Sequence, residues 1–159
     1  MKHLPKHLRP RWRYLGVGIE SWPTADFDRG DFQREVWYAA GNLLGDPGSA
    51  DADLTVYGFA FAEGRGDAVV RVRRGEVEPG RAALACLHEV GGAPVRVTVR
   101  GVAGTVRACE ERYIRRPLES TDDRTVAFEN ADRPAIARGP RVDVRVDSGF
   151  AGATDEDFD

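Results

Sequence analysis

The order in which strand-like and helix-like segments follow one another is the feature that most restricts the fold of this chain. Apolar residues at every second position predict strands, whereas apolar residues three and four apart predict helices. In chain order, the patterns predict a strand around 15–19, a helix over 32–44, strands over 54–61 and 67–74, a helix over 78–90, a strand over 95–102 and a helix over 105–116. The order β-α-β-β-α-β is typical of a ferredoxin-like α+β sandwich, related to RNA-recognition sheets, here with an added C-terminal helix.

Capping and helix-breaking residues define the expected ends of these helices. Asp31 is a suitable N-cap for the first helix, and Gly45 suits the left-handed position that ends it before a loop rich in Asp, Gly and Pro. The second helix is expected to end at Gly91 and Gly92, and Pro117 is expected to terminate the third. The first two helices would then cover one face of the sheet.

Residues 1–12 form a basic arm that leads directly into the first predicted strand. The region before the first acid contains five cations, Lys2, Lys6, Arg9, Arg11 and Arg13. Histidines and aromatic residues lie between them, namely His3, His7, Trp12 and Tyr14. Since Lys and Arg neutralise phosphates and aromatic rings stack on bases, the arm favours RNA as a partner. A solvated chain terminus is the alternative explanation.

The strands predict a second basic surface, on the sheet face that the first two helices leave open. The side chains expected on that face are Arg71, Arg73, Arg96 and Arg100, with Tyr57 and Phe59 as neighbours. An arginine-rich face with aromatics is typical of a sheet that binds RNA. Alternatively, the third helix packs on this face and the arginine stems extend around it. The sequence leaves both explanations open.

Arg107 is a further candidate RNA ligand, because local helix stability gives little reason for an arginine there. Thr105 is the expected N-cap, so Arg107 lies in the first turn, where a cation opposes the helix dipole by about 0.3–1 kcal/mol. A pair with Glu111 returns only about 0.2–0.5 kcal/mol. A phosphate at the free N–H groups would favour an arginine more strongly. An exposed pair with Glu111 and nothing else is the alternative.

Length and composition indicate one globular domain. The chain has 159 residues, of which 42% are hydrophobic, and no apolar run approaches the roughly 20 residues that span a bilayer. Without a recognisable secretory leader, we expect a cytoplasmic protein. Cys86 and Cys109 do not have the spacing of a zinc site or a disulfide framework. The 21 arginines against 2 lysines suggest a halophilic composition, although GC-rich codon usage explains the same bias.

The composition changes after residue 117, which we take as the end of an α/β RNA- and protein-binding domain over 13–117. Residues 118–159 contain 5 Arg and 11 acidic residues, a net charge of −6, whereas the whole chain has −3. Such a segment is expected to be a largely disordered acidic tail. Alternating valines allow one extra edge strand near 142–147.

We expect no catalytic and no metal-binding residue in this chain. The three histidines lack an evident nucleophile or carboxylate partner in the sequence, and they are His3, His7 and His88. Asp51 and Asp53 lie in an acidic loop before a strand, which is typical of solvated carboxylates. Gly64-Arg65-Gly66 joins two strands instead of preceding a helix, so it is not a phosphate-binding glycine motif.

Three stretches share their order and spacing with a known family. The first two are Arg13-Tyr14-Leu15, which follows a basic Lys-x-Leu-Pro arm, and Val69-Val70-Arg71-Val72-Arg73-Arg74. The most specific is Gly104-Thr105-Val106-Arg107-Ala108-Cys109, followed by Arg112-Tyr113-Ile114. On these motifs the chain resembles the archaeal ribonuclease P protein component 2 family, the counterpart of a small subunit shared by eukaryotic ribonuclease P and ribonuclease MRP. The resemblance does not cover the residues after Pro117.

The resemblance implies a subunit of the ribonucleoprotein endonuclease that removes 5′ leaders from precursor tRNAs. The catalytic RNA, with Mg²⁺, would perform the hydrolysis, and this chain, with no cofactor of its own, would help fold or position that RNA. The implied partners are the ribonuclease P RNA, precursor tRNA, protein component 3 and other protein subunits. The expected RNA-binding residues are Lys2, Lys6, Arg9, Arg11, Arg13, Arg71, Arg73, Arg74 and Arg107. An independent RNA-binding module and a small-molecule regulatory ferredoxin-like domain are the alternatives.

Overall fold

The computed structural model describes residues 4–114 and 121–158 of the chain. The chain divides into two compact units, Met1–Arg116 and Pro117–Asp159, and each has its own antiparallel sheet. Helices accompany the sheet of the first unit, so the α+β class expected from the sequence is confirmed. The predicted helix end at Pro117 lies outside the described residues.

The first unit contains a five-stranded sheet. Its elements in chain order are β1 (Trp12–Ser21), α1 (Arg29–Ala52), β2 (Thr55–Ala62), β3 (Arg65–Arg73), α2 (Val77–Ala85), β4 (Glu89–Val90), β5 (Ala93–Ala103) and α3 (Val106–Cys109), which continues as a π-helical turn over Glu110–Ile114. The strand order is β2-β3-β1-β5-β4, and each neighbouring pair is antiparallel. β1 therefore lies at the centre of the sheet, and β2 lies at one edge.

The main core lies between this sheet and the helices α1 and α2. Leu15, Val17 and Ile19 of β1 have no exposed surface. They belong to the same apolar cluster as Phe32 of α1 and Leu84 of α2. Complete burial of an aliphatic or aromatic side chain contributes about 1.5–3 kcal/mol, so this face of the sheet provides most of the stability of the first unit.

α1 begins earlier and ends later than its sequence pattern predicts. Asp28, not Asp31, is the N-cap, because its carboxylate accepts a hydrogen bond from the Asp31 N–H at 2.9 Å. That bond also lowers the pKa of Asp28. Gly45 has the expected positive φ of 73°, but it kinks the helix instead of ending it. Pro47 suits the first turn of a helix, so helical structure resumes there and continues to Ala52.

α2 is shorter than predicted, because residues 89–90 form a strand. Glu89–Val90 pairs with the start of β5 through a two-residue turn. Gly91 and Gly92 form this turn with φ of 57° and 80°, the conformation that tight hairpins require. The two glycines therefore close a hairpin and do not end a helix, which corrects the sequence prediction.

Residues 106–114 cover the middle of the sheet face opposite α1 and α2. Cys109 is fully buried there and packs with Val69 and Tyr113. Tyr113 lies directly against Gly16 and Gly101, where any added side chain would overlap its ring. The two glycines thus allow the helical segment to approach the strands closely.

The second unit is a four-stranded sheet, which corrects the expectation of a largely disordered acidic tail. Its strands, in both chain and spatial order, are β6 (Thr121–Phe128), β7 (Ala131–Arg138), β8 (Arg141–Val146) and β9 (Gly149–Thr154). The strand expected near 142–147 is β8. It lies between β7 and β9 in this second sheet and does not extend the edge of the first.

The charged composition of the second unit conceals its sheet because acids and arginines pair with each other. Arg138 donates from Nε to Asp143 at 2.9 Å, and both side chains are almost completely buried. The small side chains of Ala135, Val142 and Val144 form an apolar cluster. A stretch that alternates charged residues with Ala and Val is polar on average, so its composition predicts disorder. The alternation itself is the pattern of a strand.

Candidate nucleic-acid interface

Arginine and aromatic side chains meet at the end of the first sheet where β1 begins and β3 ends. In the antiparallel register, Trp12 lies opposite Arg73, and Tyr14 lies opposite Arg71. Directly opposed residues in a ladder share one face, so these four side chains are neighbours. Together with Tyr57 of β2 they form what we call the aromatic–arginine cluster.

Arg71 lies at the centre of the aromatic–arginine cluster. Its guanidinium carbon is 3.7 Å from the centre of the Trp12 ring and 5.2 Å from that of Tyr57. Its Nη1 donates a hydrogen bond of 2.9 Å to the Tyr57 hydroxyl, and its Nη2 is 4.0 Å from Asp53. A guanidinium stacked on aromatic rings in this way gains about 0.5–2 kcal/mol per contact, so the cation is held in a fixed orientation.

Tyr57 lies in a β-bulge beside the cluster. The ladder between β2 and β3 passes from the pair Val56–Val70 to the pair Gly58–Val69, and Tyr57 has no partner strand residue. The extra residue shifts the alternation of β2, so Phe59, which was expected on the same face as Tyr57, lies opposite Ala68 and packs against the main core instead. Tyr57 is 48% exposed, and its ring meets that of Tyr14 in an edge-to-face contact with 5.9 Å between ring centres.

The two arginines of the cluster each have a buried donor without a protein acceptor. Among the described residues, no hydrogen-bond partner lies within reach of Nε of Arg71 or Nε of Arg73. A buried, unsatisfied donor costs about 1–3 kcal/mol, and more when the group is charged. These two Nε atoms are covered by the protein, so the cluster attracts an anionic ligand through the charge of its guanidinium groups and not through these donors.

The basic arm reaches the same end of the sheet. The N–H of Arg74 donates to the carbonyl of Arg11 at 3.0 Å, which fixes the arm beside the end of β3. Lys6 lies in an exposed 3₁₀ turn, Lys6–Leu8, and Arg9 donates from Nε to the Leu4 carbonyl at 2.8 Å. Lys6, Arg9 and Arg11 are exposed, and Arg11 lies beside the end of β3, whereas Lys2 lies outside the described residues.

Two predicted ligands make no described contact with the side chains of this cluster. Arg13 is opposite Val72, a core residue, so it occupies the helix-facing side of β1. The side chain of Arg107 is 87% exposed and pairs with Glu111 at 3.0 Å, and Thr105 is the N-cap of α3 as predicted. A contact of either arginine with RNA stays a prediction.

The remaining arginines of the predicted basic face have other partners. Arg96 is 3.8 Å from Glu20. Arg100 bonds to the Asp67 carboxylate and donates to the Tyr113 carbonyl at 2.8 Å, so it ties the helical segment to the sheet. In the middle of this face the second alternative is therefore correct, because the helical segment packs there.

Sequence reasoning named the arginines and the aromatic residues of the cluster, but not that the aromatics of the arm and the arginines of β3 meet. The alternation of Trp12 with Tyr14 and of Arg71 with Arg73 indicated that each pair shares a face. The register that places one pair opposite the other is decided by contacts between distant strands, so no local pattern could reveal it.

Other chemistry is sparse in the part of the chain that the structure describes. Within residues 4–114 and 121–158, no three His, Cys, Asp or Glu side chains come close enough to hold a metal ion. None of the helices described is long and apolar enough to cross a membrane. His88 is exposed, and its Nδ1 lies 3.3 Å from the carbonyl of Cys86.

Comparison with known proteins identifies the class of this chain. The model of the Rpp14/Pop5 family matches residues 13–114, and the chain belongs to that family. It is 63% identical over 160 residues to ribonuclease P protein component 2 of Haloarcula marismortui, with 99% of each chain covered. The protein of the same name in Natronomonas pharaonis is 64% identical over 154 residues, which cover 97% of this chain and 96% of that one. The predicted resemblance is thereby confirmed.

More distant similarities cover only part of the chain. Ribonuclease P protein component 2 of Methanosarcina acetivorans is 36% identical over 115 residues, which cover 72% of this chain and 83% of that one. A chain in the cryo-EM structure of yeast ribonuclease MRP has a TM-score of 0.47 and 16% identity, with 72% of this chain and 82% of that chain covered. That likeness is too low to support a conclusion.

Proposed function

We propose that this chain is a protein subunit of ribonuclease P and that it binds the catalytic RNA with its basic arm and aromatic–arginine cluster. Membership of the Rpp14/Pop5 family and the names of its relatives support the first part. The observation that supports the second is the meeting of Arg11 and Arg74 with Arg71 and Arg73 at one end of the sheet. Clustered arginines and aromatics suit phosphates and unpaired bases.

We also propose that the first unit is a variant of the ferredoxin-like fold. If the short β4 is set aside, its elements run β-α-β-β-α-β and its strands lie in the order β2-β3-β1-β5, which supports this assignment. The helical segment 106–114 is the added element. Because it occupies the middle of the free sheet face, RNA would approach the end of the face where the arm enters.

In this proposal the RNA carries the chemistry. Mg²⁺ ions held by the RNA would activate the attacking water, and this chain would supply cations that position the RNA. No residue of the chain has a catalytic or metal-binding role. The proposed partners are the ribonuclease P RNA, precursor tRNA, protein component 3 and other subunits, and the proposed location is the cytoplasm. The comparisons give no support to an independent RNA-binding module or a small-molecule regulatory domain.

Matched charge variants test the RNA-binding part of this proposal. One variant replaces three arm cations, Lys6, Arg9 and Arg11, by Gln, and the control replaces three exposed arginines of the second unit, Arg124, Arg141 and Arg145, by Gln. Binding of the full-length chain to ribonuclease P RNA is measured over a range of salt concentrations. We expect the arm variant to lower the slope of log affinity against log salt by up to about 3, and the control to change it much less.

Equal changes in both variants would show that binding reflects only net charge, which contradicts a specific role of the arm. The subunit assignment has a separate readout. Ribonuclease P reconstituted from its RNA and protein subunits should cleave the 5′ leader of precursor tRNA more slowly when this chain is left out. An unchanged cleavage rate at limiting Mg²⁺ would contradict the assignment.

A further inference from the structure

Tyr57 is an exposed aromatic side chain that the fold holds in one orientation. Alternation along β2 places it on the same face as Thr55, which lies opposite Arg71, and its hydroxyl accepts a hydrogen bond from Arg71 at 2.9 Å. Tyr57 is 48% exposed, although β2 is an edge strand where a polar residue would be equally compatible with the sheet. A rigid, half-exposed ring loses little conformational entropy when a flat ligand covers it.

The groups around Tyr57 indicate the chemistry of such a ligand. The Arg71 guanidinium lies over both neighbouring rings, with its carbon 5.2 Å from the centre of the Tyr57 ring and 3.7 Å from that of Trp12. The Arg73 guanidinium carbon lies 5.3 Å from the same Trp12 ring. The exposed part of the Tyr57 ring can stack on a planar ring, and the positive charges of the two guanidinium groups favour an anion next to it.

We infer that the aromatic–arginine cluster binds one unpaired nucleotide of an RNA, with its base stacked on Tyr57 and its phosphate near Arg73. This inference rests on the proposed function and specifies which kind of RNA the site takes. A paired base inside an A-form helix cannot reach Tyr57, because its faces are already stacked on its neighbours. The ligand is therefore a loop, bulge or single-stranded end, and the arm contacts the backbone that leads to it.

The test compares three single variants of the full-length chain. Tyr57→Ala removes the ring, Tyr57→Phe keeps the ring but loses the hydroxyl, and Tyr38→Ala is the control. Tyr38 is 60% exposed on α1, on the opposite side of the sheet. The probes are a single-stranded RNA of about ten nucleotides, the same RNA annealed to its complement, and an abasic ribose-phosphate backbone of equal length.

Loss of one base stack is worth about a 5- to 150-fold loss of affinity. We expect Tyr57→Ala to show this loss for the single strand only, with an unchanged salt slope because no phosphate contact is removed. Tyr57→Phe should lose much less, and Tyr38→Ala should match the wild-type protein. The abasic backbone should bind the wild-type protein and Tyr57→Ala equally. Far-ultraviolet circular dichroism of each variant verifies that the fold is intact.

The outcomes separate this inference from the proposed function. If the wild-type chain binds the single strand and Tyr57→Ala binds it equally well, the stacking site is wrong, and the exposed ring serves another partner such as a protein. If the duplex binds as tightly as the single strand and loses the same affinity in Tyr57→Ala, the ligand is not an unpaired base. If the wild-type chain binds none of these probes and no ribonuclease P RNA, the proposed function itself fails.

Discussion

The two thiols of this chain occupy opposite environments. Cys109 belongs to the helical segment 106–114 and has no exposed surface. Burial raises the pKa of its thiol to about 11, and the Glu110 carboxylate adds a smaller effect. Cys86 is exposed after the end of α2. Because the thiolate is the reactive form, the environment of each cysteine decides whether a thiol reagent can modify it.

We therefore predict that a chromogenic thiol reagent at pH 8 modifies one cysteine of the folded chain and both cysteines after unfolding. Cys86→Ala should abolish the reaction of the folded protein, whereas Cys109→Ala should leave it unchanged. Because the pKa of the Cys109 thiol is higher in the folded chain, this thiol ionises at a lower pH in the unfolded chain than in the folded one. The contribution of Cys109 to the free energy of unfolding therefore falls as pH rises from about 9 to 11. Rapid modification of Cys109 in the folded chain would show that residues 106–114 open readily.

Arg107 allows a second prediction for a single residue. Its pair with Glu111 is exposed, so Arg107→Ala should leave the melting temperature unchanged or slightly higher, because a cation leaves the first turn of the helix. If Arg107 binds RNA, the same variant weakens assembly with ribonuclease P RNA. Arg34→Ala is the control, since Arg34 is 62% exposed, lies on α1 and pairs with Asp31 at 3.5 Å. Assembly that falls no further than in the control would show that Arg107 is not an RNA ligand.

At the scale of elements, close packing of residues 106–114 decides which part of the sheet is open to a ligand. Gly16 of β1 and Gly101 of β5 form the surface on which the Tyr113 ring lies. Arg100 then ties the segment down through the Tyr113 carbonyl, at 2.8 Å. The helical segment is thus held by shape and by one partly buried cation, and the part of the sheet face beneath it is closed to a ligand.

Gly101→Ala should destabilise the chain by about 1–3 kcal/mol, because the new methyl group overlaps Tyr113 and must displace it. Gly104→Ala is the matched control, since a Cβ at that position would have no neighbour within 4 Å. Urea unfolding of both variants measures the difference. When Tyr113 is already replaced by Ala, Gly101→Ala should lower the free energy of unfolding much less, because the ring that the methyl group overlaps is gone. If the two substitutions instead lower the free energy of unfolding additively, the proposed overlap is wrong.

The whole molecule consists of two units with separate apolar clusters. The clusters of the first unit use residues of β1 to the helical segment 106–114, and that of the second uses residues of β6, β7 and β8 with Phe158. The family match ends at residue 114, and the Methanosarcina acetivorans relative matches over 72% of the chain. Both observations indicate that the first unit contains the structure common to the family.

A chain truncated after Arg116 should therefore fold cooperatively. We expect its thermal unfolding, followed by near-ultraviolet circular dichroism, to remain a single transition, because no member of the first unit's described core is removed. Its affinity for ribonuclease P RNA should be equal or higher, since a net charge of −6 is lost with residues 118–159. A truncated chain without a cooperative transition would show that the second unit is required for folding.

The sequence by itself determined the features that depend on short-range interactions. The periodicity of Leu15, Val17 and Ile19 identified the buried central strand, and Thr105 was correctly predicted as an N-cap. The order of the elements, the basic arm and the family motifs were also evident. Strand alternation, helix periodicity and capping involve residues a few positions apart, so each leaves a local pattern.

Tertiary structure alone decided the features that join distant residues. The register that places Trp12 opposite Arg73, and the bulge that moves Phe59 into the main core, depend on which strands pair. The second sheet escaped prediction because its stability depends on cross-strand pairs such as Arg138 with Asp143. Contacts between residues far apart in the chain are chosen by the packing of the whole fold, and for that reason only the folded protein shows where its candidate RNA site lies.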